Sequence, residues 1–433
     1  MKKHVIFSRL SLLLPILSLL IELTPATSTA QIISPNGTEV NFSYTASFEI
    51  PTTARENTDE KRMKLHASYM FGIFQSPTFI RQLGLDPELS AGIGAPRAQT
   101  QFTILSSEQV SDKIKISYTA ASKMILHKDV ARAILKIGYL DLPLPVDPYA
   151  IYDVTCTDEH YTLFSDFWYF YDPFRSGCER LSQPPMAVNT RLTITPVVVK
   201  KMDLTPKLPY LRGDNDNGDL FSIYVIHGYA EKNVAGDEGR MSFKELNQHL
   251  LDNGFTETRE HQSKVIPMYI YRKEIRLDNG KKIKVQLKHL LVETSINSRS
   301  KTFALFFKEA VAKADVIYYG GHSGLGGSLD IPSLEEKAGP FKFNPKKKQI
   351  FFFESCASYS YYLEHFGNEK TKAKIDIITN GLASYFHTSH AVLTTFLWHM
   401  LSENSKDVTW SKILGDMESA LEGSTYLTSV GGI

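Results

Sequence analysis

The order of apolar runs predicts an α/β fold over residues 220–433, preceded by a β-rich region over residues 31–201. Three observations carry this. In the second half, short continuous apolar runs alternate with stretches of helical spacing, the pattern of a mostly parallel sheet flanked by crossover helices. In the first half, short alternating runs are broken by prolines and polar turns. At 433 residues the chain also has length for two or three folding units, each with a real core. Charged residues at 22% and aromatics at 11% separate it from disordered and collagen-like chains. The 48 Lys and Arg nearly balance the 47 Asp and Glu, so nucleic acid is not expected as a partner: neutralising phosphates takes a basic excess.

Residues 1–30 read as a cleaved secretory signal. Lys2, Lys3 and Arg9 make a positive start, residues 10–21 an apolar run, and Ser28-Thr29-Ala30 a small-residue end with cleavage after Ala30. The run is too short and wrongly flanked to span a bilayer. A secreted or periplasmic protein with no transmembrane segment in its mature chain is therefore expected, in a compartment where disulfides persist.

Within residues 31–201, strands are expected at 40–50, 101–105 and 113–118, and 142–148 is a proline-rich break. Cys156 and Cys178 bracket an aromatic block at 164–174, and a disulfide between them is the expectation. A zinc site on Cys156, His160 and Cys178 lacks a fourth ligand, and no metal or other cofactor is expected. Residues 202–219 read as a linker. Its acidic stretch at 213–219 reads as a solvated turn, since a calcium loop would need an acidic twelfth residue.

In the second region, 221–226 is a buried strand, and Ser242 with Glu245 makes a capping box for a helix that Gly254 stops. Phe243, Leu246 and Leu250 mark that helix's inner face. Residues 265–277 and 281–293 form a hairpin around Asp278-Asn279-Gly280. A helix at 300–313 feeds the strand 316–319. Further strands fall at 350–353 and 375–378, and helices near 390–401 and 410–421 close the region.

Two strand ends carry chemistry. One reads Tyr318-Tyr319-Gly320-Gly321-His322-Ser323-Gly324, the other Phe353-Glu354-Ser355-Cys356. Sites in open α/β sheets form at the carboxyl ends of strands. A thiol needs a base, because a free cysteine is only slightly ionised at neutral pH. His322 is the base within reach if the two strands are neighbours, about 4.8 Å apart.

These two blocks, in this order, resemble those of the caspase-like cysteine peptidases, the superfamily of metacaspases, legumains, clostripain, gingipains and separases. The resemblance covers residues 219–433 and none of the first region. It implies a caspase-like mostly parallel sheet and an endopeptidase acting on polypeptides, with Cys356 as nucleophile and His322 as general base. It also implies an oxyanion hole from the Cys356 N–H and an N–H of the loop after His322, at Ser323 or Gly324. The family usually has glycine directly after its histidine; here Ser323 stands there and Gly324 follows. Asp330 and Asp376 read equally as carboxylates that favour a basic substrate side chain and as loop or capping residues, and the pocket is left unassigned.

Two other readings compete. Gly321-His322-Ser323-Gly324-Leu325-Gly326 resembles the nucleophile elbow of α/β-hydrolase serine esterases, with His227-Gly228 as oxyanion loop, Asp376 as acid and His387 or His390 as base. Leu325 is large for the elbow, and Cys356 is left without a role. The other is a non-catalytic secreted binding protein whose aromatic block around Trp168 meets a partner. The first region's role is not legible.

Overall fold

The computed structural model describes residues 32–87, 91–151, 155–156, 171–198, 220–229, 236–258, 268–276, 280–294, 300–323, 329–402, 408–421 and 426–432. The expected signal segment, His160, most of the aromatic block including Trp168, the expected linker with its acidic turn, and Gly324 lie outside these residues.

The first region forms an antiparallel six-stranded sheet from β1 (Gly37–Pro51), β2 (Gly94–Pro96), β3 (Gln101–Val110), β4 (Lys113–His127), β5 (Tyr139–Pro145) and β6 (Ala187–Pro196). The order is β2-β4-β1-β6-β5, with β3 also paired to β4. Along β1, Val40, Phe42, Tyr44, Ala46, Phe48 and Ile50 are buried in strict alternation, as a half-covered strand requires. The proline-rich break expected at 142–148 is in fact largely strand. Pro143 and Pro145 sit in β5 at the sheet's edge, where a missing N–H costs no ladder bond on the open side.

Three helices join this region: α1 (Asp59–Ile73), α2 (Pro77–Gln82) and α3 (Lys128–Ile137). α1 carries no apolar stripe because residues from Leu65 to Ile73 are buried all round. Its start is nonetheless well marked, the Thr58 hydroxyl accepting the Lys61 N–H. Cys156 and Cys178 are joined in a disulfide, which leaves neither thiolate for a zinc ion.

The second region is α/β. Its eight-stranded sheet comprises β7 (Leu220–Tyr229), β8 (Thr256–Thr258), β9 (Met268–Arg276), β10 (Lys282–Glu293), β11 (Val316–Gly320), β12 (Gln349–Glu354), β13 (Ile375–Asn380) and β14 (Thr428–Gly431). The order is β14-β13-β12-β11-β7-β10-β9-β8. The five strands β13, β12, β11, β7 and β10 run parallel, and the edges are antiparallel. Alternate residues feed two cores. Ile223, Tyr318 and Phe352 face α4 (Glu238–Asp252), α8 (Phe386–Leu401) and α9 (Trp410–Ser419). Tyr224, Tyr319 and Phe353 face α5 (Lys301–Lys313), α6 (Ile331–Ala338) and α7 (Ser358–Gly367).

One expected helix start moves. α4 is capped by Asp237, whose carboxylate accepts the Arg240 N–H at 3.0 Å, a turn before the Ser242 box. Ser242 is buried inside the helix and donates to the Phe386 carbonyl. Gly254 ends the helix with φ near +77°, and Phe243, Leu246 and Leu250 are buried as its spacing predicts.

The two sheets are joined through α7 and β14. Ile125 of β4 is part of the core above β12 and β13. Ile33 exchanges two backbone hydrogen bonds with Val430, at 3.0 and 2.9 Å. The buried Arg97 pairs with Glu39 and also reaches Tyr359 and Glu364 on α7.

Candidate active site

Numbered along the chain, the parallel strands β7, β10, β11, β12 and β13 are first to fifth, and across the sheet they stand second, first, third, fourth, fifth. The direction of winding therefore reverses between β7 and β11. Ligands of open α/β sheets bind at the carboxyl ends of the strands flanking that reversal. The β7 end carries His227-Gly228 and the β11 end carries Gly320-Gly321-His322.

Strand register brings the two chemical blocks together. Gly320 pairs with Glu354, the last partners of β11 and β12. His322 and Cys356 each lie two residues beyond that pair, on neighbouring loops. A direct bond ties the loops: the Ser323 hydroxyl donates to the Cys356 carbonyl at 2.5 Å. A third strand end adjoins them, since the Cys356 thiol donates to the Ser384 carbonyl at 3.6 Å in the loop after β13. The His322 ring meets Phe386 edge-on, with centroids 5.4 Å apart, at the start of α8.

The glycines before His322 serve packing. A Cβ on Gly321 would lie 2.9 Å from the hydroxyls of both Thr294 and Tyr319. Those two hydroxyls fix the loop: Tyr319 donates to the His322 carbonyl at 2.6 Å, and the His322 N–H reaches Thr294 at 3.4 Å. The His322 backbone is thus held from both sides.

Cys356 is half-buried and is the free cysteine among the described residues. Burial pushes its thiol pKa up, and hydrogen bonding by Ser384 pulls it partly back. Ala357 turns through φ +47° and α7 begins at Ser358, so the thiol stands beside a helix N-terminus, where a thiolate is favoured. Beneath it, the Glu354 carboxyl is buried and pushed up to about 7 by that burial, while Ser389 and Tyr318 pull it down. The Tyr318 hydroxyl donates to it at 2.7 Å.

A buried histidine pair completes the floor under β7. His227 Nδ1 and His289 Nε2 are 2.7 Å apart, and His289 Nδ1 meets Asn247 Oδ1 at 2.7 Å. Burial lowers His227 to about 3 and holds His289 well below the usual imidazole range, so both are neutral.

The competing serine constellation does not assemble. Asp376 lies at the start of β13, paired in register with Ile350 at the amino end of the sheet, and its carboxylate holds Lys348 at 2.6 Å. His322 and Ser323 stand beyond the opposite, carboxyl end. Asp330 is likewise committed: it caps α6, accepting the N–H and the hydroxyl of Ser333. The contributions of Ser384, Phe386 and Ser389 were missed from sequence, although the strand-end rule that singled out β11 and β12 applies equally to the loop after β13. Among the described residues no cluster of His, Cys, Asp and Glu is arranged to hold a metal ion.

No protein-family model matches the chain, and no curated protein matches it. Among solved structures, the 2,6-sialyltransferase of Vibrionaceae Photobacterium sp. JT-ISH-224 aligns at 8% identity over 48% of this chain and 58% of that enzyme, with a TM-score of 0.12. The chain thus spans less than two thirds of that enzyme's length. A superposition at that level sets no constraint on fold or activity.

Proposed function

We propose that the chain is an exported cysteine endopeptidase of caspase-like type, with Cys356 as nucleophile and His322 as general base. The observation that carries this reading is the placement of the two residues. Each stands two residues past the paired ends of adjacent parallel strands, next to the winding reversal of the sheet.

The chemistry follows from that placement. Burial keeps the resting thiol protonated, so the nucleophile is made on demand. His322 takes the proton from Sγ as sulfur attacks the peptide carbonyl carbon. The carbonyl oxygen becomes an oxyanion, for which the Cys356 N–H and an N–H of the loop after His322 are the proposed donors. The C–N bond breaks as His322 returns the proton to the leaving amine. Water, deprotonated by His322, then attacks the thioacyl carbon, and the C–S bond breaks to restore the thiol. Fixing the His322 backbone through Thr294 and Tyr319 holds the imidazole for both transfers.

Ser323 favours a supporting part, because its hydroxyl is engaged with the Cys356 carbonyl. A thiol-reactive peptide warhead distinguishes this reading from a secreted binding protein. Cys356 should be modified much faster than a small thiol of ordinary pKa, and His322→Ala should abolish the advantage. Equal rates would remove the proposal.

A further inference from the structure

Between the six-stranded sheet and the C-terminal end of α7 lies a cavity of 670 Å³ that the proposed peptidase chemistry does not use. Its size is that of a small-molecule site. Four basic side chains line it, Arg97, Lys123, Lys370 and Lys372, against one lining carboxylate, Glu364. Arg97 is committed to Glu39 and Glu364. Lys370 donates to the Lys347 carbonyl and Gln349.

The other two cations are not satisfied in this way. The Lys123 ammonium is buried with no hydrogen-bond partner among the described residues, and Glu39 Oε2 stands 4.0 Å from it. Lys372 is half-buried, and its ammonium makes no hydrogen bond or ion pair among the described residues. Burial disfavours the Lys123 charge; Glu39 and Glu364 attract it while Arg97 and Lys372 repel it, and burial and Arg97 both act against the charge of Lys372. Holding under-compensated cations around a hollow costs stability unless something neutralises them. Gln99, Thr100 and Ser122 add amides and hydroxyls to the wall.

We propose that this cavity binds a small polyanion carrying phosphate or sulfate groups, gripped by Lys123 and Lys372 with Arg97 and Lys370 around it. Charge-assisted hydrogen bonds from two ammonium groups with unused donors would supply the affinity. The ligand would bridge the two sheets, since Arg97 and Lys123 come from the first region and Lys372 from the second.

The test is calorimetric titration of the full chain with inorganic pyrophosphate, with sucrose octasulfate and with neutral sucrose, each at low and moderate salt. Saturable binding of a polyanion, weakened by salt and at least about tenfold weaker in Lys372→Ala and in Lys123→Gln, is expected. Sucrose should give no signal, and Lys244→Ala, an exposed change on α4, should bind as the parent does. A preference between the two anions assigns the phosphate or the sulfate source. If Lys123→Gln does not fold, Lys372→Ala decides alone. No saturable binding of either anion, or equal loss in Lys244→Ala, would overturn the proposal.

Discussion

At the scale of single residues, the site depends on a few close approaches. Gly321→Ala would drive a methyl against the hydroxyls of Thr294 and Tyr319, the two groups that hold the His322 backbone. A displacement near 1 Å costs a catalytic group about a hundredfold. The expected result is a fall in kcat of roughly 10- to 100-fold with little change in thermal stability, measured on a cleavable peptide. Glu354 makes a separate prediction. Its carboxyl is held near pH 7 in the fold and titrates at its ordinary lower value when unfolded. Between those values the folded state binds the extra proton, so the contribution to stability is full at acid pH and is lost as pH rises through 7. Glu354→Gln should remove this, and its stability relative to the parent should rise by roughly 3 kcal/mol between pH 4 and 8. Urea unfolding at the two pH values measures it, and a pH-independent difference would contradict the buried, neutral carboxyl.

At the scale of elements, the start of α4 is a direct check on local reasoning. Asp237→Ala removes the hydrogen bond that caps the helix and should cost about 1 kcal/mol in urea unfolding. The Ser242-Glu245 box is a legible signal that the fold overrides, because Ser242 faces inward to the Phe386 carbonyl. The strands of the second region were readable because β7, β11 and β12 are buried on both faces and so form unbroken apolar runs. α1 was not, since burial on every side erases helical periodicity in its second half. α7 was missed for a related reason: Tyr359, Ser360, Tyr362, Leu363 and Phe366 are all buried, leaving too little polar contrast to mark a face. In the site, His322 and Cys356 were legible from glycine and apolar context. Ser384 and Phe386 were not, because only the pairing of β12 with β13 brings their loop alongside.

At the scale of the molecule, the first region is built into the second. Ile125 sits in the core above β12 and β13, Ile33 pairs with the edge strand β14, and Arg97 with Glu39 is buried against α7. Glu39→Ala takes from the buried Arg97 one of its two carboxylates and leaves it Glu364, so it should destabilise the chain in urea unfolding by less than the about 3–5 kcal/mol of a fully orphaned buried charge. Residues 220–433 expressed alone should lack a cooperative urea transition, having lost the cover over Ile377, Leu382 and Leu427. A sharp transition in that fragment would show that the regions are independent. The central claim concerns Cys356, and it is tested most directly by digesting a denatured peptide library with the purified protein. New termini should appear with the parent, persist in large part with Ser323→Ala, and vanish with Cys356→Ala. Cleavage that survives Cys356→Ala, or none at all from the parent, would contradict it.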